Sequence, residues 1–529
     1  MMNKYNGVNH TMLTDYYELT MSQAYFDQGI HEKIAYFDLF FRRVPEQGGY
    51  AVMAGVEQMV EYLENLSFTD EDIQYLRNLR HFSDDFLDYL RHMEFSCDVW
   101  AIPEGTPLFP AEPIVKVRGP LIQAQMIETM LLLTINHQSL IATKAARIVR
   151  AAGGRTVMEF GARRAQGSDA SVLGARAAYI GGANGTSCTL AGRRFGVPLS
   201  GTMAHSFVQS FDSEYEAFLA YAQSFPKETV LLVDTYNTLQ SGVPNAIRLH
   251  NEYLKPRGER LRGIRIDSGD LTYLTNESRK MLDAAGLQDT IIILSNSLDE
   301  YVIENLLLQG AEVDSFGVGE RLITSRAEPV FGGVYKLSAV EDEQGNILPK
   351  MKISDNVEKM TNPGSKELYR FYDRESGMAL ADLVTLEGEH IPPNEPYEIF
   401  DPVQTWKRKT LTNFTVRPLL KSVFIQGACV YEPRSLEEIR NYCRDQLQTL
   451  WDSIRRFENP QIYYVDLSQE LWDLKHDILH ERIPMHSHTP KTDVPQIEAN
   501  LIDDPELDTD QVHELPPRVE SSQDSEEIE

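Results

Sequence analysis

The sequence predicts an α/β protein whose parallel strands are covered by helices, arranged as a barrel or as a doubly wound sheet. Three observations carry this. From Val157 to Glu320 short apolar runs alternate with helical segments: VMEF then SDASVLGARAAYI, VPLSG then SEYEAFLAYAQSF, TVLLVDT then NAIRLHNEYL, GIRIDSGD then TYLTNESRKMLDAAG, TIIILSNS then DEYVIENLLLQG, and last VDSFGVGE. Polar and glycine residues follow each run at once, where a parallel α/β architecture puts its ligand loops. The stretch from Val157 to Phe211 is also rich in Gly and Arg. Glycine lets backbone N–H groups approach an anion, and arginine offers a donor fork that matches phosphate or carboxylate oxygens. The same glycines and alanines also permit tight helix–strand packing.

Taken in order, residues 14–28 read as a helix capped by Thr14, with Asp15 and Glu18 in its positive first turn. Tyr16 and Tyr17 point to different faces, so one is expected in the core and the other within reach of a ligand. Residues 34–43 read as a strand, 54–66 and 70–93 as helical, and 98–120, cut by prolines and glycines, as a small β-rich module. A long helix is expected from Leu121 to Ala152, stopped by Gly153 and Gly154. After the rhythm ends near GGVYKLSAV, Gly345-Asn346 can turn a hairpin and the chain is β-like to about residue 415. Residues 435–457 read as a strong amphipathic helix and 465–482 as another. The expected organisation is an N-terminal α+β domain (1–155), an α/β catalytic domain (156–340) and a β/helical segment packing with the N-terminal domain (341–488). An acidic tail (489–529) has too little apolar content to fold alone.

With 529 residues, 42% hydrophobic and 24% charged, the chain fits a soluble globular protein of two or three domains. No run of eighteen apolar residues occurs and the N-terminus lacks a signal-peptide core, so a cytoplasmic protein is expected. Cys97, Cys188, Cys429 and Cys443 are widely spaced without a CxxC pair, which points to neither a zinc site nor a disulfide framework. Of the net charge of −29, about −12 falls between Asp493 and Glu529. The body is still acidic, which argues against nucleic acid or an anionic membrane as partner. An anionic substrate therefore needs a local basic island.

The strand-end residues are the ones to inspect: Gly161 to Arg164, Asp234 and Thr235, Asp267 to Asp270, Ser295 and Asn296, and Gly317, Gly319 and Glu320. They converge on one face. Singly they have plainer readings, Asp270 and Asp299 as helix N-caps among them. Gly317-Val318-Gly319 suits phosphate binding by backbone N–H groups. His205, in SGTMAHSF, lies among small and hydroxyl residues where its ring is accessible.

These motifs, EFGARRAQG, GTSCTLAG, GTMAHSF, LLVDTYNT, IRIDSGDL, LSNSLDE, FGVG and GGVYKL, with LTDYYELTM and FRRVP before them, closely resemble the nicotinate phosphoribosyltransferase family. The resemblance runs in the same order over roughly residues 11 to 365. It implies an irregular α/β barrel related to quinolinate phosphoribosyltransferase, with a second α+β domain built from both chain ends. It also implies a homodimer with active sites near the subunit interface. The implied reaction joins nicotinate to 5-phosphoribosyl 1-diphosphate with Mg²⁺, for NAD biosynthesis, and couples ATP hydrolysis through a phosphohistidine. His205 matches the phosphorylated histidine, and Tyr17, Thr202 and Arg265 match ligand-binding positions. Arg163, Asp267 and Gly319 match positions lining the site of the related nicotinamide enzyme. Asp267 or Asp270 can bind ribose hydroxyls or hydrated metal.

The nicotinamide branch carries Asp in a GTDT motif, where this chain has Gly185-Thr186-Ser187-Cys188. An Asp would repel a carboxylate and a serine can donate to one, so Ser187 favours nicotinate. Glu320 departs from mammalian relatives, which have Thr there; beside phosphates it needs Mg²⁺ or a partner such as Arg321. The rival readings are a nicotinamide-specific relative and a non-catalytic pyridine- or phosphoribosyl-binding regulator. Ser187 disfavours the first, and an intact His205 with Arg163, Arg265 and Asp267 the second.

Overall fold

The computed structural model describes residues 9–482 apart from 355, 357 and 358; the acidic tail expected from residue 489 lies outside the described residues. The α/β rhythm builds a six-stranded parallel sheet: β1 (Thr156–Glu159), β2 (Gly185–Thr186), β3 (Val230–Leu232), β4 (Gly263–Ile266), β5 (Ile291–Ser295) and β6 (Ser315–Val318). Their spatial order is β2-β1-β6-β5-β4-β3, all parallel. That order is a cyclic permutation of the chain order, which is how a barrel differs from a doubly wound sheet. Of the two arrangements the sequence left open, this is an irregular barrel, with its seam between β2 and β3.

The seam explains one misread element. VPLSG, expected as a strand, contributes a single bridge from Leu199 to Thr186. A proline at 198 removes a ladder donor and no partner lies on its far side in the sheet. Instead Arg265 of β4 reaches across, its guanidinium donating to Thr202 Oγ1 at 2.5 Å and to the Met203 carbonyl at 3.0 Å.

A second sheet of seven strands is drawn from both ends of the chain. Its order is Ile347–Pro349, Gly333–Glu341, Ile34–Phe41, Val115–Pro120, Asp98–Ala101, Lys421–Ile425 and Ala428–Cys429. Gly333–Glu341, which follows the barrel rhythm in sequence, pairs antiparallel with Ile34–Phe41 here. The turn at Gly345-Asn346 forms as expected, Gly345 taking φ +82° between paired Glu341 and Ile347. A four-stranded sheet, Phe414–Pro418, Lys366–Asp373, Ala379–Leu386 and Val465–Leu467, completes the C-terminal part.

Three helices differ from expectation. Leu121–Ala152 is two helices, Leu121–Met126 and Glu128–Ala151, separated at Ile127 where ψ flattens to −3°. The helix read over 435–457 is Leu436–Gln448, with a complete Ser435/Glu438 capping box. Beyond it the chain is captured by a strand edge: Ala379 N donates to Thr449 O and Trp451 Nε1 to Ala379 O. Residues 465–482 open as a strand parallel to Ala379–Leu386, and only Gln469–Arg482 is helical.

The first helix, Tyr16–Asp27, begins at Asp15 rather than Thr14, whose hydroxyl donates to Met126 O. Neither tyrosine is core: Tyr16 and Tyr17 are both about half exposed, and Glu18, Leu19 and Ser22 form the buried face. Glu18 accepts from Gln125 Nε2, which also donates to Glu128. Burial pushes the Glu18 carboxyl up to about 7, Gln125 opposing and Glu128 adding to the rise. A carboxyl raised in the folded state binds its proton more tightly there than in the unfolded chain, so its stabilisation is present below about pH 4.5 and lost as pH rises through 7. Glu18→Gln is therefore expected to raise stability by about 1–2 kcal/mol above pH 7 and to change little near pH 4. Thermal midpoints across pH check this, and an equal shift at both ends contradicts it.

Candidate active site

The C-terminal ends of the barrel strands open into a cavity of ≈ 540 Å³. Arg163, Ser187, Thr202, His205, Arg265, Asp267, Ser295, Asn296, Gly317 and Gly319 all line it. Strand polarity alone gathers them, since every βα connection of a parallel barrel leaves on the same side. Two expected residues lie elsewhere. Tyr17 is on the N-terminal helix and does not line the cavity, and Asp270 caps Leu271–Ala284, its Oδ1 accepting from Tyr273 N at 3.1 Å. Asp299 is likewise a cap, accepting from Val302 N.

The turn Ala162–Arg164 directly after β1 carries Arg163 and Arg164, both exposed to the cavity. With Arg265 and Arg321 they make a basic island in an acidic chain, against Asp267 and Glu320. Glu320 pairs with Arg326 at 3.1 Å, and Arg321 with Asp299, so Arg321, one of the two ways of offsetting the Glu320 charge, is engaged elsewhere.

Arg265 is the most constrained cation. Two of its donors bridge the seam, while Nε is buried and without a partner. Burial pulls its ionisation below the ordinary arginine value; Asp267 and Asp234 oppose this and Arg163 adds to it. A guanidinium still holds its proton in such surroundings, so a buried unused donor beside a second arginine is a place for an anion.

His205 starts the short helix His205–Gln209. Its Nδ1 lies 3.1 Å from Thr235 Oγ1 and its Nε2 3.9 Å from both Asp234 Oδ1 and Asp267 Oδ2. Asp234 Oδ2 accepts from Asp267 N at 2.9 Å and Ser268 Oγ at 2.6 Å, and Asp267 Oδ1 accepts from Ser295 Oγ at 2.6 Å. The ends of β3, β4 and β5 are thus knitted together, and each aspartate turns its other oxygen toward the histidine. Asp234 Oδ1 is buried without a hydrogen-bond partner. Asp234 stood out in sequence only as one strand-end Asp among several; its convergence with His205 depends on folding.

Among the described residues no group of three or more His, Cys, Asp or Glu is arranged to hold a metal. A hydrated Mg²⁺ that takes most of its ligands from water and substrate phosphates needs only one or two carboxylates. Asp234 Oδ1, buried without a partner, and the part-exposed Asp267 Oδ2 fit that need.

After β5, Asn296 and Ser297 adopt φ of +107° and +46°, left-handed conformations that cost energy for residues with a Cβ and concentrate at ligand sites. Gly317 has a packing reason: an added Cβ would lie 2.5 Å from the Phe160 ring.

Three family models match the chain: the nicotinate phosphoribosyltransferase N-terminal domain over residues 12–136, the nicotinate phosphoribosyltransferase family over 156–382, and the C-terminal domain over 365–475. A nicotinate phosphoribosyltransferase of Bacillus subtilis (strain 168) is 46% identical over 88% of this chain and 95% of its own length. The chain belongs to the nicotinate phosphoribosyltransferase family. The Homo sapiens nicotinate phosphoribosyltransferase is 34% identical over 87% of this chain and 95% of its own. The crystal structure of human nicotinic acid phosphoribosyltransferase superposes with a TM-score of 0.79 at 32% identity, covering 88% of this chain and 99% of that one. A nicotinate-nucleotide pyrophosphorylase from Pyrococcus furiosus gives 0.64 at 26% identity, covering 83% and 96%. The chain is therefore an enzyme of the nicotinate phosphoribosyltransferase family, with the barrel and two-ended second domain that its motifs imply. No helix among the described residues is long and apolar enough to cross a membrane.

Proposed function

We propose that this cavity joins nicotinate to 5-phosphoribosyl 1-diphosphate, giving nicotinate mononucleotide and diphosphate, and that ATP hydrolysis is coupled to the transfer through phosphorylation of His205. The observation that carries the reading is the placement of His205, between Thr235 and the two aspartates, in the same cavity as the unused Arg265 donor.

In the transfer, the pyridine nitrogen lone pair forms the bond to ribose C1 while the C1–O bond to diphosphate breaks, the leaving oxygen keeping its electron pair. The nitrogen is already nucleophilic, so the protein's work is alignment and stabilisation of the departing anion. Arg265 and Arg163 supply donors for that charge, and Asp267 and Asp234 hold the ribose side and any hydrated cation. Mg²⁺, when bound with the phosphates, offsets their charge. In the coupled step a neutral His205 nitrogen attacks the γ-phosphorus of ATP and the bond to the β-phosphate oxygen breaks, releasing ADP; water later cleaves the P–N bond. Ser187, exposed at the cavity wall, donates to the nicotinate carboxylate.

We further propose a homodimer. Tyr17 does not line its own cavity and is about half exposed, as are Leu13, Tyr16 and Leu133, so Tyr17 is free to complete the site of a second copy of the chain. Diphosphate release from 5-phosphoribosyl 1-diphosphate, Mg²⁺ and either nicotinate or nicotinamide tests the reading. Turnover is expected with nicotinate, faster with ATP; turnover with nicotinamide alone, or none with either, contradicts it.

A further inference from the structure

Beneath the cavity wall lies a buried carboxylate that the transfer itself does not use. Glu159 ends β1 with 0% of its surface exposed. Burial pushes its carboxyl up, and only bonds from Thr186 and Gly161 pull it back, with no cation contributing. An ionisable side chain in a core position, unpaired with a cation, costs several kcal/mol unless its oxygens are well used. Both are. Oε1 accepts the Gly161 N–H and Oε2 accepts from Thr186 Oγ1 at 2.5 Å. Thr186 Oγ1 in turn accepts from Cys188 N, and the Glu159 carbonyl accepts from Ser187 N, both at 2.9 Å.

The two hydrogen-bond branches lead to different halves of the cleft. Gly161 opens the turn that carries Arg163 and Arg164, and has no room to shift: an added Cβ would lie 2.6 Å from Ile323 Cβ and 2.7 Å from the Gly319 carbonyl. The 186–188 turn presents Ser187. The one side chain therefore bonds to both turns, and the Glu159 carbonyl adds a backbone bond to the second.

We propose that Glu159 is a positioning residue that fixes the arginine turn and the Ser187 turn relative to each other, setting phosphoribosyl affinity through Gly161 and nicotinate affinity through Thr186. The proposal rests on the reaction assigned above, and wild-type turnover of nicotinate is the control that tests that assignment separately. Thr186→Val keeps the shape and removes the hydroxyl, cutting only the side-chain branch that runs through Thr186 to Cys188 N, next to Ser187, and leaving the Gly161 bond and the backbone bond from Ser187 N to the Glu159 carbonyl in place. It is expected to raise KM for nicotinate about tenfold and leave that for 5-phosphoribosyl 1-diphosphate within about twofold, since small displacements of a positioned group have large kinetic costs. Glu159→Ala cuts both branches and is expected to raise both KM values. Loss of folding lowers the active fraction and not the ratio of the two constants, so the ratio is the readout, and Thr186→Val decides if Glu159→Ala does not fold. An unchanged nicotinate KM in Thr186→Val, equal rises of both constants in that same variant, or two unchanged constants in a folded Glu159→Ala overturns the proposal.

Discussion

Replacing Arg265 by alanine is expected to lower kcat/KM for 5-phosphoribosyl 1-diphosphate by about 10²–10³-fold, the usual cost of deleting one preorganised donor to a developing anion. Two effects add. The variant loses the buried Nε that has no protein partner, and it loses the bridge that holds Thr202 and Met203 across the seam. Because His205 begins two residues beyond Met203, the same substitution loosens the histidine. Arg265→Lys separates the effects: it keeps a charge but lacks the fork that reaches two acceptors at once, and most of the loss is expected to remain. Steady-state kinetics on both variants, with thermal midpoints to confirm folding, check this. A loss below about fivefold in Arg265→Ala would remove the residue from the anion site.

Ser187→Asp is expected to reverse the pyridine preference. Two carboxylates about 4 Å apart repel by roughly 4 kcal/mol near a protein surface, but Ser187 is exposed and salt screens the pair, so about 100-fold is the reasonable loss for nicotinate. Nicotinamide gains an acceptor for its amide, and its kcat/KM should rise. The nicotinate loss should shrink as ionic strength increases, which a purely steric effect would not do. Competition between the two pyridines at two salt concentrations is the measurement, and an unmoved ratio shows that Ser187 is not the discriminator.

The features legible in sequence were those encoded locally. Alternating runs gave the parallel strands, and because all such strands point one way, their trailing residues met in one cavity without any knowledge of the closure. Asp299 read as a cap and is one, whereas Asp270, also a candidate ligand for ribose or hydrated metal, is only a cap outside the cavity. What depended on distant partners was hidden. VPLSG has the composition of a strand and a neighbour on one side only, at Thr186; the helical periodicity of residues 449–457 is cut short where Thr449 and Trp451 bond to Ala379. Gly333–Glu341 follows the barrel in the chain and joins the other sheet. The functional residues least visible were Glu159 and the orphaned oxygen of Asp234, since an acidic residue inside a strand pattern or after it carries no sign of what will face it. A carboxylate in the core-facing register of an apolar run, such as Glu159 in VMEF, is the one local signal that was available.

The coupling of ATP to the transfer stands or falls on His205. The direct measurement is the rate of nicotinate mononucleotide formation, with and without ATP, in the wild type and in a His205→Ala variant shown to be folded. The wild type is expected to accelerate with ATP and release ADP in step with product, while the variant keeps a slow rate indifferent to ATP. Equal stimulation of the two proteins by ATP would contradict the account.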